Sequence, residues 1–397
     1  MNKDYSNIMP YDDRETSDAL KRVASAPELK AISDFLYGPE HETELRNRLR
    51  GLDGVYQFQS SVMAGVIQAI IDKTSSGLSV KGLEYLQDGR KHVLVSNHRD
   101  IILDPAIIQL VLFNHHLATT EIAVGDNLIA NSLIEDIFRS NRMIKVIRGG
   151  TPREKYLSSS LLSSYIRENI VSDRCSVWIA QRNGRSKDGH DVTEQGLLKM
   201  FEMSGSGDFV KDFKELSILP IAISYQYEPC DFLKARELYI SRRERYVKKP
   251  GEDTVSILTG VRQDKGGIAF HFCPEITERE LSECASYEKN ERFKALAGVI
   301  DGRIYDNYRL WDTNYMAYDM LEGGETCASR YTPESREHFL QRMEKGLSAV
   351  VEKDPDIDRD ELAEIFLSIY ANPVRSVRAR QAGDRGTSCH AWGNPRR

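Results

Sequence analysis

The chain has 397 residues, 40% of them hydrophobic and 9% aromatic, with a formal net charge of −6. This supports a packed core, in one large domain with additions or in two domains, and excludes a wholly disordered chain. The charge excludes chain-wide attraction to nucleic acid or anionic lipid, so any such contact has to come from a local basic patch.

Residues 1–77 read as an N-terminal helical region. In SVMAGVIQAIIDK the apolar residues Val62, Val66 and Ile70 recur at helical spacing, with Met63, Ile67 and Ile71 beside them. Such a helix either packs on the core or lays its apolar face into lipid or along an acyl chain, and periodicity does not separate the two. From 78 to 275 short β-branched runs alternate with longer helical ones: HVLVSN (92–97), EIAVGD (121–126), MIKVI (143–147), CSVWIAQ (175–181) and ILPIAISYQY (218–227). That alternation predicts an α/β fold, a mixed, largely parallel sheet flanked by helices, with N- and C-terminal helical extensions. The runs end in polar clusters, NHRD, GDN, RGG, QRNGR and YEP. Open α/β sheets bind ligands beyond their strand ends, where His98, Arg148, Arg182 and Arg185 can converge. Residues 276–373 read as a C-terminal helical region. The last piece, 374–397, reads as a disordered basic tail rich in Arg and Gly.

The six cysteines are scattered, without a C-x-x-C pair or a Cys/His spacing that suits zinc, so no bound metal is expected. A reducing interior is the simplest home for them. The first residues lack an apolar signal segment, and stretches such as AIIQLVLF (106–113) fall far short of the roughly 20 residues that span a bilayer. The expectation is a cytoplasmic protein, peripheral on a membrane if it meets one.

The stretch VSNHRDIILDP (95–105) places His98 before Arg99 and Asp100, with Asp104 further on. A protein kinase uses His-Arg-Asp but needs a magnesium-binding Asn five residues after the Asp, where this chain has Pro105. Asp104-Pro105 also reads as a helix start, with Asp as N-cap and Pro at the first helical position. Downstream, MIKVIRGGTPREKY puts Arg148 at a strand end, then Gly149-Gly150, then a Thr151–Glu154 capping box with Pro152 at its first position. Backbone N–H groups at that helix start and a guanidinium make a phosphate site or an ordinary surface turn. In VWIAQRNGRSKDG, the cations Arg182, Arg185 and Lys187 surround Asn183-Gly184. They read as a second anion contact or as a solvated turn.

These segments together resemble the blocks of the glycerolipid acyltransferase family, the glycerol-3-phosphate and 1-acylglycerol-3-phosphate acyltransferases. SNHRDIILDP is similar to the His-x4-Asp block, IKVIRGG to the second block, WIAQRNGRSKDG to the Phe-Pro-Glu-Gly-Thr-Arg-Ser block, and ILPIAI to the fourth. The resemblance covers 78–275 and is closest to the long form of Bacteroidetes-type bacteria. Two departures stand out. Five residues, not four, separate His98 from Asp104, which leaves Asp100 as a competing partner. The third-block glutamate is missing, with Arg182-Asn183-Gly184-Arg185 where Glu-Gly-Thr-Arg is expected.

The resemblance implies the glycerol-3-phosphate acyltransferase-like fold and acyl transfer from acyl-CoA or acyl carrier protein, as co-substrate, to a hydroxyl of glycerol 3-phosphate or a lysophospholipid. It places the chain in phospholipid biosynthesis at the inner face of the cell membrane, without bound cofactor or nucleic acid. His98 would be the general base, since a histidine's ordinary pKa of ~6.5 lets it take the proton of an attacking alcohol. Asp104 or Asp100 would orient it. Asn97, Arg99, Arg148, Gly149, Arg182, Asn183, Gly184, Arg185 and Lys187 would bind substrate. Amine transfer in aminolipid synthesis and a non-catalytic lipid-binding role are the alternatives. The basic stretch KARELYISRRERYVKK (234–249) reads as a solvated face, or as a dock for anionic lipid or an acidic carrier protein. VRQDKGGIAFHF (261–272) resembles a hairpin closing the family's core, with His271 a strand residue rather than a second base.

Overall fold

In the computed structural model, which describes residues 3–86 and 88–383, seven strands form one sheet. They are β1 (Gly77–Lys81), β2 (Val93–Ser96), β3 (Glu121–Gly125), β4 (Met143–Val146), β5 (Val177–Ala180), β6 (Ile218–Tyr225) and β7 (Gly267–Phe272), in the order β1-β7-β6-β2-β5-β3-β4. β4, β3, β5, β2 and β6 run parallel, while β7 lies antiparallel to β6 and β1 parallel to β7. The sheet is therefore mixed and mostly parallel, as the alternating runs predict.

β2 is central, and all four of its residues are buried. Strand periodicity of two splits the core between the faces. Val93 and Val95 join Ile144, Val177, Ile179 and Ile218 under the helices Pro152–Val171, Gln195–Glu202 and Glu291–Asp306. Leu94 joins Trp178, Leu219, Ile221 and Ile223 under the helices Ala64–Thr74 and Leu103–Asn114. Val66, Ile67 and Ile71 are buried in this second cluster, so the apolar helix near residue 65 packs on the core and does not face lipid. The N-terminal segment also shields the sheet edge, where the Ile8 carbonyl accepts from the Lys145 N–H of β4 at 2.9 Å.

Two expectations change. β6 and β7 pair antiparallel but are not a hairpin, because the helices Asp231–Ser241 and Glu252–Arg262 lie between them. The last helix, Arg359–Gln381, runs past Pro373 into the stretch read as tail. Val374 and Ser376 are buried there, and Arg378 donates to Tyr318 Oη at 2.9 Å. Tertiary packing makes a helix of a segment whose own periodicity is weak. The rest of the expected tail, 384–397 with Cys389, lies outside the described residues. Among the described residues no helix is long and apolar enough to cross a membrane.

The C-terminal helical region closes over the loop that follows β5. Asn372 donates to the Asp188 carbonyl at 2.8 Å, and Gly189 lies so close that a Cβ there would fall 2.0 Å from the Ile369 carbonyl oxygen. Gly189 also has φ +76°, a conformation that costs an L-residue roughly 1–2 kcal/mol. Gly189→Ala should lower unfolding stability by about 2 kcal/mol or more in denaturant titration; an unchanged midpoint would show that this contact is soft.

Candidate active site

Beyond β2 the chain leaves the sheet at Ser96, and the next eight residues fold around one carboxylate. Asp104 is fully buried. Its Oδ2 accepts from His98 Nδ1 at 2.9 Å, from the Arg99 N–H at 2.5 Å and from the Asp100 N–H at 2.9 Å. Its Oδ1 accepts from the Tyr225 hydroxyl at 2.7 Å. Burial pushes the Asp104 carboxyl up, but the hydrogen bonds and charge of His98 and the Asp100 and Tyr225 donors outweigh it and hold it below the ordinary carboxylate range. An ionised carboxylate only accepts, so His98 Nδ1 carries the hydrogen and Nε2 presents its lone pair. Nε2 makes no hydrogen bond to any described residue. The ring is 13% exposed and rests edge-on against Trp178, centroids 5.7 Å apart. Such an imidazole can take a proton from a hydroxyl placed over its open edge.

Asp100 does not compete for this role. Its Oδ1 accepts from the Ile102 and Leu103 N–H groups at 2.9 and 2.8 Å, so it caps the start of the helix Leu103–Asn114. Asp104 is therefore not the N-cap expected from Asp-Pro; it sits in the first turn and points back into the loop. The extra residue between His98 and Asp104 is absorbed by this turn.

Asn97 and Arg99 turn inward. Asn97 is fully buried, bonded to the Ile223 backbone at 2.9 and 2.8 Å and to Asp191 at 3.1 Å. Arg99 is 3% exposed and meets Asp191 at 2.5 Å and Glu228 at 3.3 Å. Burial works against its charge, yet Asp191 and Glu228 outweigh that and keep the guanidinium protonated. Lys234 completes the cluster, 2.5 Å from Glu228 and donating to the Arg99 carbonyl at 2.8 Å. Two cations and two carboxylates thus balance beneath the His98 turn.

The loop after β5 crosses the same turn, the Ser186 N–H donating to the His98 carbonyl at 2.8 Å. Arg185 is 8% exposed, and its buried Nη1 has no hydrogen-bond partner among the described residues. Arg182 Nε is likewise buried and unpartnered. Lys187 pairs with Glu237, and burial pulls its ammonium down to about 8. Asn183 is exposed, and Gly184 takes φ +83° at the loop's tip. Glu194 accepts from the Asn183 N–H at 3.2 Å.

Arg148 and Gly149 are exposed beyond β4, at the same end of the parallel strands as His98. β5 and β3 separate β4 from β2, roughly 14 Å at the usual strand spacing. The Arg148 side chain leans inward across β3, where a Cβ on Gly125 would fall 2.6 Å from its Nε. The capping box of Thr151 and Glu154 forms as read.

The basic stretch 234–249 is largely neutralised within the chain. Lys234 pairs with Glu228, Arg236 with Asp354, Arg243 with Glu361 and Lys248 with Asp253. His271 is a half-buried residue of β7, and burial lowers its pKa. Among the described residues no cluster of His, Cys, Asp or Glu could hold a metal ion.

Residues 77–224 match the family model Acyltransferase. The chain carries an acyltransferase-family domain, which bears out the family read from the four segments. Among solved structures it is similar to the 1-acyl-sn-glycerophosphate (LPA) acyltransferase PlsC from Thermotoga maritima, at 12% identity over 74% of this chain and 97% of that chain, with a TM-score of 0.40. A likeness of that size says nothing about substrate. No curated protein matches the chain.

Sequence reading missed Tyr225, although it continues the period of Leu219, Ile221 and Ile223 onto the face that carries Asp104. Asp104 titrates lower folded than unfolded. Its stabilisation is therefore present above the unfolded pKa and is lost as pH falls through the folded one. Tyr225→Phe removes one of the donors that depress it. The variant should lose about 1–3 kcal/mol at neutral pH and begin acid unfolding at higher pH than the parent, read by circular dichroism; coincident acid transitions would refute the coupling.

Proposed function

We propose that this protein moves an acyl group from a thioester, acyl-CoA or acyl carrier protein, to a hydroxyl of glycerol 3-phosphate or a lysophospholipid. The observation that carries the reading is the His98–Asp104 pair at 2.9 Å, set in the segment that matches the acyltransferase family. His98 Nε2 takes the hydroxyl proton as the oxygen attacks the thioester carbonyl. The C–S bond then breaks as the C–O bond forms, and the thiol leaves with a proton. Asp104 stabilises the imidazolium that forms in between. The thioester is already activated, so this route uses no nucleophilic side chain, metal or bound cofactor. Arg185 supplies a cation for the acceptor's phosphate, with Lys187 beside it, and the exposed Arg148 adds positive charge at the same end of the sheet.

His98→Ala should lose ~10²–10⁴ of the rate of acceptor-dependent thiol release. Parental turnover in that variant would sink the mechanism, and absence of thiol release from the unaltered protein with every acceptor would favour a non-catalytic role. Arg148→Ala in the same assay separates acceptors. It weakens use of phosphate-bearing alcohols and leaves transfer to an amino acid amine, the runner-up reaction, unchanged.

A lipid substrate asks for contact with a membrane. The start of the helix Pro152–Val171 supports one: Tyr156 and Leu157 are 65% and 56% exposed, next to exposed Arg153 and Lys155 and near Arg148. An aromatic-aliphatic pair among cations fits an anionic bilayer surface. Replacing Tyr156 and Leu157 together by Ser should reduce co-sedimentation with anionic vesicles several-fold; equal sedimentation would remove this surface from the reading.

A further inference from the structure

Next to the His98 turn a cleft of ≈ 320 Å³ opens between the loop after β5 and the two helices inserted between β6 and β7. One wall is Arg185 and Lys187; the other comes from Leu233 to Ser256 and includes Tyr246, Lys249 and Val255. This second wall lies beyond the family match, which ends at residue 224. The cleft is tied to the His98 turn from both sides, by the Ser186 N–H on the His98 carbonyl and by Lys234 on the Arg99 carbonyl.

The hydrogen bonds of the cleft do not close on themselves, although the Arg185 charge also acts on the buried Asp100 carboxylate. Its two carboxylates are both committed: Glu237 to Lys187, and Glu252 to the Tyr246 hydroxyl at 2.6 Å and the Lys249 N–H at 3.0 Å. Of its cations, Lys234 is held by Glu228 and Arg236 by Asp354. Arg185 and the Lys249 ammonium are left, neither with a hydrogen-bond or ion-pair partner among the described residues. Asp354 also feels the Lys249 charge, but it is taken by Arg236. A guanidinium that is more than nine-tenths buried, unpartnered and lining a cleft points to an anion from outside.

The size of the cleft narrows the ligand. It lies at the low end of the ~300–1,000 Å³ usual for small-molecule sites, a size that suits a headgroup. We propose that the segment between β6 and β7 completes a site for a compact phosphate monoester, the dianion bridging Arg185 and Lys249. This rests on the reading of the protein as an acyltransferase with a phosphate-bearing acceptor. It adds that the acceptor's phosphate is selected by a residue outside the acyltransferase domain. Lys249 touches the phosphate and not the reacting atoms, so it is a positioning residue.

The test uses the full chain. Lys249→Gln should raise KM for glycerol 3-phosphate roughly 10-fold, the value of one charge-assisted hydrogen bond, with kcat and the KM for the thioester nearly unchanged. Lys249→Arg should restore it. Lys249 is exposed, so neither variant threatens folding. Calorimetric titration of glycerol 3-phosphate, and of inorganic phosphate, into the His98→Ala protein reads binding without turnover. Adding Lys249→Gln should weaken that binding by a similar, roughly 10-fold, factor. If titration is unchanged by Lys249→Gln while acyl transfer proceeds, the inference falls and the acyltransferase reading stands. If phosphate binds through Lys249 but no acceptor is acylated, the reading falls and the site stands. A rise confined to the thioester KM would assign the cleft to the donor's phosphate and overturn the proposal.

Discussion

A single buried carboxylate organises the centre of this molecule. Asp104 receives two backbone N–H groups, an imidazole and a phenol, which come from the turn after β2 and from β6. A buried carboxylate without such donors costs several kcal/mol, so the turn, the ring and the end of β6 are constrained together. His98 is thereby fixed in one tautomer and one orientation before any substrate arrives. In the proposed reaction, preorganisation of this kind would let one imidazole act on a weak nucleophile.

The second constraint lies one layer deeper. Arg99, Lys234, Asp191 and Glu228 form a buried set of equal and opposite charge, to which Tyr308 and Asn97 also donate. The members come from the His98 turn, the loop after β5, the end of β6 and the inserted helix, with Tyr308 from the C-terminal region. Removing one member would leave its partner buried and unpaired, which is far costlier than the pair itself is stabilising. The cluster therefore works as a register device. It makes the helices outside the family-matched segment part of the site's support rather than an appendage.

The sheet was legible because its five parallel strands are short β-branched runs ending in polar clusters, and all five appear where those runs lie. Strand order was not, because register comes from pairing across long loops. The His98–Asp104 contact was legible in residue types and spacing, while the choice of Asp104 over Asp100 depended on how one turn folds. Asn97 and Arg99 illustrate a limit of a different kind. Their types suit a substrate site, but a side chain on a turn points in or out according to the charges beneath it, and Asp191 and Glu228 lie far away in sequence. The end of the last helix, beyond residue 373, was missed for a similar reason, since Val374 and Ser376 gain burial from partners that local composition does not reveal.

The two outward-looking arginines differ in a way that bears on their use. Arg148 is solvated at the sheet edge, so an anion gains little from it through desolvation and screening weakens the contact. Arg185 is buried with an unbonded Nη1, a state already costly in the folded protein. An anion that reaches Arg185 returns that cost on binding, and does so in a medium where charge interacts more strongly than in water. On the proposed reading, Arg148 would attract the anion and Arg185 would discriminate. Arg185 adjoins the turn whose backbone carries His98, so that contact would also set the distance between hydroxyl and imidazole in the proposed reaction.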